Sequence, residues 1–241
     1  MRRIFTNIYT LDGLIARLLP WIASITFVLM AVGLYGGLFI SPADMEQGET
    51  VRIMYVHVPA ASIGLIIYTL IACWGFVFLV WRARVADMMI QAAVPIGAIY
   101  TLLALITGSL WGKPMWGTWW VWDARLTSTL ILFFLYLGIL ILHRAFEDQE
   151  MAARAAALLA MVKGINIPII KFSVDWWYTL HQPASLIRLD GPTIDASFLY
   201  PLLIMMAAFF CLFLTLLMVR IRTIIVSKRL QNHHLRHLMD I

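Results

Sequence analysis

Six long apolar runs dominate the chain, at about 19–40, 58–81, 88–110, 127–143, 151–171 and 197–219. Each is near the roughly 20 residues that an α-helix needs to cross about 30 Å of hydrocarbon. The polar residues gather in short stretches between them, with no linker and no low-complexity tract. This alternation predicts an all-α integral membrane protein, a six-transmembrane-helix bundle forming one domain over 1–241. The fifth run is the least regular, because Arg154, Lys163, Asn166 and Pro168 interrupt it. Gly164 with Pro168 predicts a kink there, and Lys163 is expected to snorkel or to pair within the bundle. The basic opening "MRRIFTNIYTLDGLIAR" leads into a run too long for a signal-peptide core, so that run is read as a retained first span.

Composition agrees: 62% of residues are hydrophobic and 13% charged, whereas ordinary soluble domains carry about 25% charge. Charge then orients the bundle. With a cytoplasmic N-terminus, the inner segments hold Arg2, Arg3, Arg17, Arg82, Arg84, Arg144, Arg154, Arg220, Arg222, Lys228, Arg229 and Arg236. The outer loops, about 41–57, 111–126 and 172–196, hold Arg52, Lys113, Arg125 and Arg188, with Lys171 at the edge of the last. The positive-inside rule therefore predicts an N-in/C-in protein. The net charge of +5 is accounted for by topology beside membrane lipid, and no nucleic acid is needed to explain it.

That topology sorts the candidate chemistry. His143, His233, His234 and His237 fall inside, which leaves His57 and His181 outside, each two residues before a proline. Proline disfavours helix in the residue before it and suits a helix's first turn, so His57 is expected just ahead of the second span and His181 at the end of a helical stretch. Cys73 and Cys211 stand singly inside apolar runs. Dithiol exchange and covalent haem attachment through CxxCH are thereby excluded. No phosphate-cradling glycine loop, HExxH or serine nucleophile motif occurs.

The densest feature is "WGTWWVWDARLTS", residues 116–128, with Trp116, Trp119, Trp120 and Trp122 followed by Asp123 and Arg125. Interfacial tryptophans commonly serve as a membrane belt. Here, however, four share one loop and are joined to a charged pair that anchoring does not require. Asp123 either caps the helix beginning at "ARLTSTL" or orients the loop through Arg125 or backbone N–H groups.

The stretch 116–127 resembles the WWD signature of the haem-handling membrane proteins of cytochrome c maturation. Together with "VPIGAIYTLLALITGSLWGKPMWG", "RIMYVHVPAA" and "NIPIIKFSVDWWYTLHQ", it makes nearly the whole chain similar to the CcmC, or haem exporter protein C, family. The resemblance implies a haem b site at the periplasmic surface of the bacterial inner membrane and delivery of haem to the periplasmic chaperone CcmE. Association with CcmD and the CcmA–CcmB ABC transporter is implied too, with at most a ligase-like step in attaching haem to the chaperone. Beside it, the chemistry of the residues makes His57 and His181 the axial ligands of iron. Indoles offer flat apolar surface to the ring, and Arg125, Arg52, Lys113 and Arg188 are propionate candidates. Trp177 stands four residues before His181, and on a helix it would buttress that ring. Two other classes are weighed against this. A transmembrane b-type cytochrome should stack histidines within its spans, and spans two to six have none at their centre. A transporter subunit would use Lys163 and Asn166 as a polar pathway.

Overall fold

The computed structural model describes residues 8–177, 179–181, 191 and 193–239. Its helices are α1 (Ile8–Tyr35), α2 (Met54–Trp81), α3 (Arg84–Trp116), α4 (Ala124–Ala145), α5 (Gln149–Val162), α6 (Asn166–Trp176) and α7 (Ala196–Met239). A π-helical turn, Gly36–Ile40, extends α1, and a 3-10 turn, Glu49–Ile53, leads into α2. Six helical stretches are long and apolar enough to cross a membrane: Thr10–Ile40, Glu49–Trp81, Arg84–Trp116, Ala124–Ala145, Gln149–Trp176 and Ala196–Gln231. All six expected runs are among them, and each is longer than its run. Polar residues at helix ends, such as Asp12 and Arg222, continue the helix and pair with each other, 3.1 Å apart, instead of ending it.

The core lies between α2 and α3, where small residues let backbones approach. A Cβ on Gly97 would fall 2.2 Å from the Tyr136 ring, whose hydroxyl donates to the Gly64 carbonyl at 2.7 Å. Alanines 152, 153, 156, 157 and 160 are all buried along α5, and a Cβ on Gly75 would meet the Ala157 carbonyl oxygen at 2.9 Å. Apolar side chains gain little from leaving lipid for a protein core, so close packing and interhelical hydrogen bonds of this kind hold membrane helices together. The α1 helix packs mainly on α7 and leaves Trp21 and Phe27 largely exposed, as the π-helical turn after it leaves Phe39.

The fifth span breaks where the sequence is irregular. A 3-10 turn at Lys163–Ile165 separates α5 from α6, and Pro168 lies in the first turn of α6, where its missing N–H costs nothing. Whereas α5 packs closely on α2, α6 packs chiefly on α4. Asn166 fixes that choice by donating its Nδ2 to the Ser128 carbonyl at 2.9 Å. The break therefore swings the chain away from α2 at one end of the bundle. At the opposite end, His143 Nε2 lies 3.1 Å from Asp87 Oδ1, tying α4 to α3.

Candidate haem-binding site

The bundle end at which α6 leaves α2 holds a cavity of about 240 Å³. His57 and His181 both line it. His57 belongs to α2 itself. The expected boundary is corrected here, since helix begins at Met54 and Pro59 lies within it; membrane helices accommodate proline because neighbouring groups satisfy the freed carbonyl. The His57 Nδ1 is 3.1 Å from the Ala104 carbonyl and 3.1 Å from Thr107 Oγ1. The Thr107 hydroxyl donates its own proton to the Leu103 carbonyl at 2.7 Å, so its oxygen accepts from His57. Two acceptors on Nδ1 assign the proton there and leave the Nε2 lone pair for a ligand. Gly108 makes room for the ring, because a Cβ at this position would come 2.9 Å from His57 Cε1. Trp111 packs edge-on against it with centroids 5.7 Å apart.

His181 is held differently. Helix α6 ends at Trp176, and Trp177 is extended (φ −133°, ψ 155°), so His181 stands beyond the helix and not at its end as expected. Trp177 and His181 consequently share no helix face. Trp177 is 51% exposed and its ring contact is with Trp176. The indole beside His181 is Trp116, with centroids 4.8 Å apart. The His181 Nδ1 lies 3.3 Å from Asp123 Oδ2, and that carboxylate is almost fully buried. The other oxygen, Oδ1, accepts the Leu126 N–H at 2.7 Å, which makes Asp123 the N-cap of α4. The sequence posed capping and orientation as alternatives, and both occur at once, with His181 in place of Arg125 as the side chain oriented. Burial moves the His181 imidazole below its ordinary pKa of 6.5; Asp123 opposes that shift and Arg125 adds to it. The ring is thus neutral at pH 7.

The tryptophan loop is shorter than 111–126. Helix α3 runs through Trp116, and Gly117, at φ 76°, stops it with its N–H on the Lys113 carbonyl at 3.0 Å. Such a left-handed residue is normally glycine. Trp111 and Trp116 are therefore helical, while Trp119, Trp120 and Trp122 occupy the turn at 117–123. Trp122 is 75% exposed and Trp119 is 55% exposed. Trp120 packs edge-on to Trp122, with ring centroids 5.4 Å apart.

Of the basic candidates, Arg125 lines the cavity. It donates Nε to Ser173 Oγ at 3.2 Å and Nη2 to the Ile170 and Lys171 carbonyls at 3.4 Å. Arg52 does not line the cavity; it pairs with Glu49 and donates to the Gly37 and Leu38 carbonyls, pinning the end of α1. Lys113 donates to the Gly117 carbonyl and lies over Trp119. Arg188 and Pro183 fall outside the described residues. Lys171, Ser62 and Thr129 also line the cavity and were not singled out from sequence. Thr129 was within reach, one helical turn after Arg125. None of the described ion pairs includes Arg125 or Lys171, and among the described residues no aspartate or glutamate lines the cavity. Among the described residues no group of three or more His, Cys, Asp or Glu is placed to hold a metal ion. What remains is a pair of neutral imidazoles, suited to the two axial positions of an iron whose other ligands come with it.

The family described as "Heme exporter protein C" matches residues 3–236. A protein of that name from Bradyrhizobium diazoefficiens is 53% identical over 91% of this chain and 83% of its own length. One from Haemophilus influenzae is 50% identical over 86% of this chain and 84% of its own, and one from Escherichia coli K12 is 46% identical over the same shares. By family match and by identity across most of its length, the chain belongs to the haem exporter protein C family.

Proposed function

We propose that this chain binds haem b between His57 and His181 and delivers it to the periplasmic haem chaperone CcmE during c-type cytochrome maturation. The observation that carries the reading is the pair of imidazoles lining one cavity, each with Nδ1 engaged so that Nε2 is left to ligate. Haem supplies an iron that takes axial imidazoles and a flat ring with two propionates on one edge. The residues fit both. Apolar side chains from α2, α3 and α4 form the walls, and Arg125 with Lys171 places positive charge in a cavity that no carboxylate lines among the described residues. The cavity is smaller than the roughly 300–1,000 Å³ usual for small-molecule sites, so an edge of the ring would stay accessible at the bundle end.

That accessibility suits delivery more than electron transfer, and Trp119 and Trp122, exposed in the turn that leads to Asp123, offer flat surface for orienting cargo or partner. By the positive-inside rule this end faces the periplasm of an inner-membrane protein with both termini inside. CcmD and the CcmA–CcmB transporter are its proposed further partners. The test is co-expression with the chaperone, followed by haem staining of the chaperone after denaturing electrophoresis. The Trp119→Ala/Trp122→Ala variant is expected to retain haem through the two histidines and to fail in loading the chaperone. Full loading by that variant at normal expression would reduce the loop to a membrane anchor.

A further inference from the structure

We infer that Asp123 is a positioning residue that sets which nitrogen of His181 carries the proton, and so whether His181 can ligate; this rests on the haem reading above. The geometry is specific. One buried carboxylate faces two donors, the Leu126 N–H on Oδ1 at 2.7 Å and the His181 Nδ1–H on Oδ2 at 3.3 Å. The first bond starts α4, and the second crosses from that helix start to a segment with no helix of its own to hold it. With the proton on Nδ1, Nε2 presents its lone pair to the cavity. A carboxylate behind a ligating imidazole fixes its tautomer and ring orientation and makes it a better donor to metal. His57 obtains the same tautomer from uncharged acceptors on α3, so the two sides of the site reach one protonation state by different means.

The two oxygens of Asp123 separate the capping role from the positioning role. Serine caps helices about as well as aspartate, but a single hydroxyl oxygen occupied by the Leu126 N–H leaves His181 Nδ1 without its carboxylate. Asparagine also caps, using its one carbonyl oxygen, and it then turns an amide NH2 toward His181. That NH2 donates to Nδ1, moves the ring proton to Nε2 and blocks the ligating position, as happens when the aspartate behind a catalytic histidine is made asparagine. Asp123→Asn is therefore expected to be worse than Asp123→Ser, although it is the closer replacement in shape and the equal of aspartate as a cap. A residue that served only the fold would show the reverse order or no difference.

The experiment is titration of the purified full chain, in detergent, with iron protoporphyrin IX, read by visible absorption and electron paramagnetic resonance. Wild type, His181→Ala, Asp123→Ser and Asp123→Asn are compared, with thermal unfolding of each apo-protein as the check on fold. Asp123→Asn is expected to match His181→Ala in coordination and to lose affinity by about tenfold to a hundredfold, the range for removing a partner behind a metal ligand. Asp123→Ser should lie between it and wild type, and both should unfold near the wild-type temperature. A wild-type spectrum in Asp123→Asn, beside a shifted spectrum in His181→Ala, overturns the assignment of Asp123 and leaves the haem reading standing. If His181→Ala itself leaves the wild-type spectrum unchanged, it is the haem reading that fails. Should both Asp123 variants unfold early and lose haem in proportion, Asp123 is a cap and nothing more.

Discussion

His57 and His181 line the same cavity from opposite kinds of structure. His57 is built into a wall: its helix packs on α3, its Nδ1 meets two acceptors from one turn of that helix, and Gly108 leaves only the space its ring occupies. His181 lies outside any helix, and among the described residues its ring meets one carboxylate and one indole, both contributed by or beside the tryptophan turn. A ligand set by close packing costs much to displace, because neighbouring side chains have no room to follow. One set by a single charged contact follows whatever moves that contact. The contrast teaches that the site has a fixed side and an adjustable side, and that the exposed tryptophans sit with the adjustable one.

The strongest way to break the comparison is to fill the fixed side. Gly108→Leu puts a side chain where His57 Cε1 already lies 2.9 Å from a bare Cβ position. It should lower haem affinity and alter the haem spectrum as far as His57→Ala does, because overpacking costs about 1–3 kcal/mol and the imidazole is what must move. A Gly108→Leu protein that binds haem with wild-type spectrum would show that His57 is not packed as described. On the adjustable side the corresponding change is gentler. Trp116→Phe keeps an aromatic ring beside His181 and is expected to lower haem affinity less than tenfold, in line with the roughly 0.5–1.5 kcal/mol that an aromatic pair contributes beyond burial. Equal losses from the two substitutions would erase the asymmetry.

Much of this was legible in the sequence, for physical reasons that also mark where it stopped. Six spans follow from hydrocarbon thickness, and 19–40 and 197–219 need only counting. His57, His181 and the tryptophan turn stand out because polar and aromatic groups beside apolar runs are sparse enough to be read singly. Helix ends were misjudged where α3 continues through Trp116, since lysine and proline near the end of a membrane helix look like a loop and are still helical. The carrier of His181 was misjudged too, because helical spacing from Trp177 presumes a helix that stops at Trp176. The partners of His57 had a signal that went unread: Ala104, Thr107, Gly108 and Trp111 recur at helical spacing on one face of α3. The bond from Asp123 to His181 had none, because 58 residues of chain separate its ends.

Smaller effects sharpen the picture further. Lys171→Gln removes a cation with no acidic partner among the described ion pairs, and it is expected to weaken haem binding by about threefold, the scale of a solvent-screened charge pair. Haem dimethyl ester, with its propionates masked, should bind the variant and the wild type equally. A loss that persists with the ester would assign Lys171 to structure and not to the carboxylates. Smallest of all is the effect of pH near neutrality. Burial lowers the His181 pKa below 6.5, so its neutral, ligating form predominates above that value and is lost as pH falls through the lowered one. In His57→Ala, where His181 acts alone, haem affinity should stay flat from about pH 8 to about pH 6.5 and fall below it. A decline beginning above 6.5 would mean that the Asp123 carboxylate, and not burial, dominates at this ring.

The central claim, that one haem iron is held by both histidines, is tested most directly by the absorption spectrum of the purified chain loaded with haem in wild type, His57→Ala, His181→Ala and the double variant. The account predicts a low-spin, two-imidazole spectrum in wild type, an altered spectrum in each single variant, and no retained haem in the double variant, while His143→Ala at the opposite end stays as wild type. A double variant that keeps the wild-type spectrum at full occupancy would contradict it.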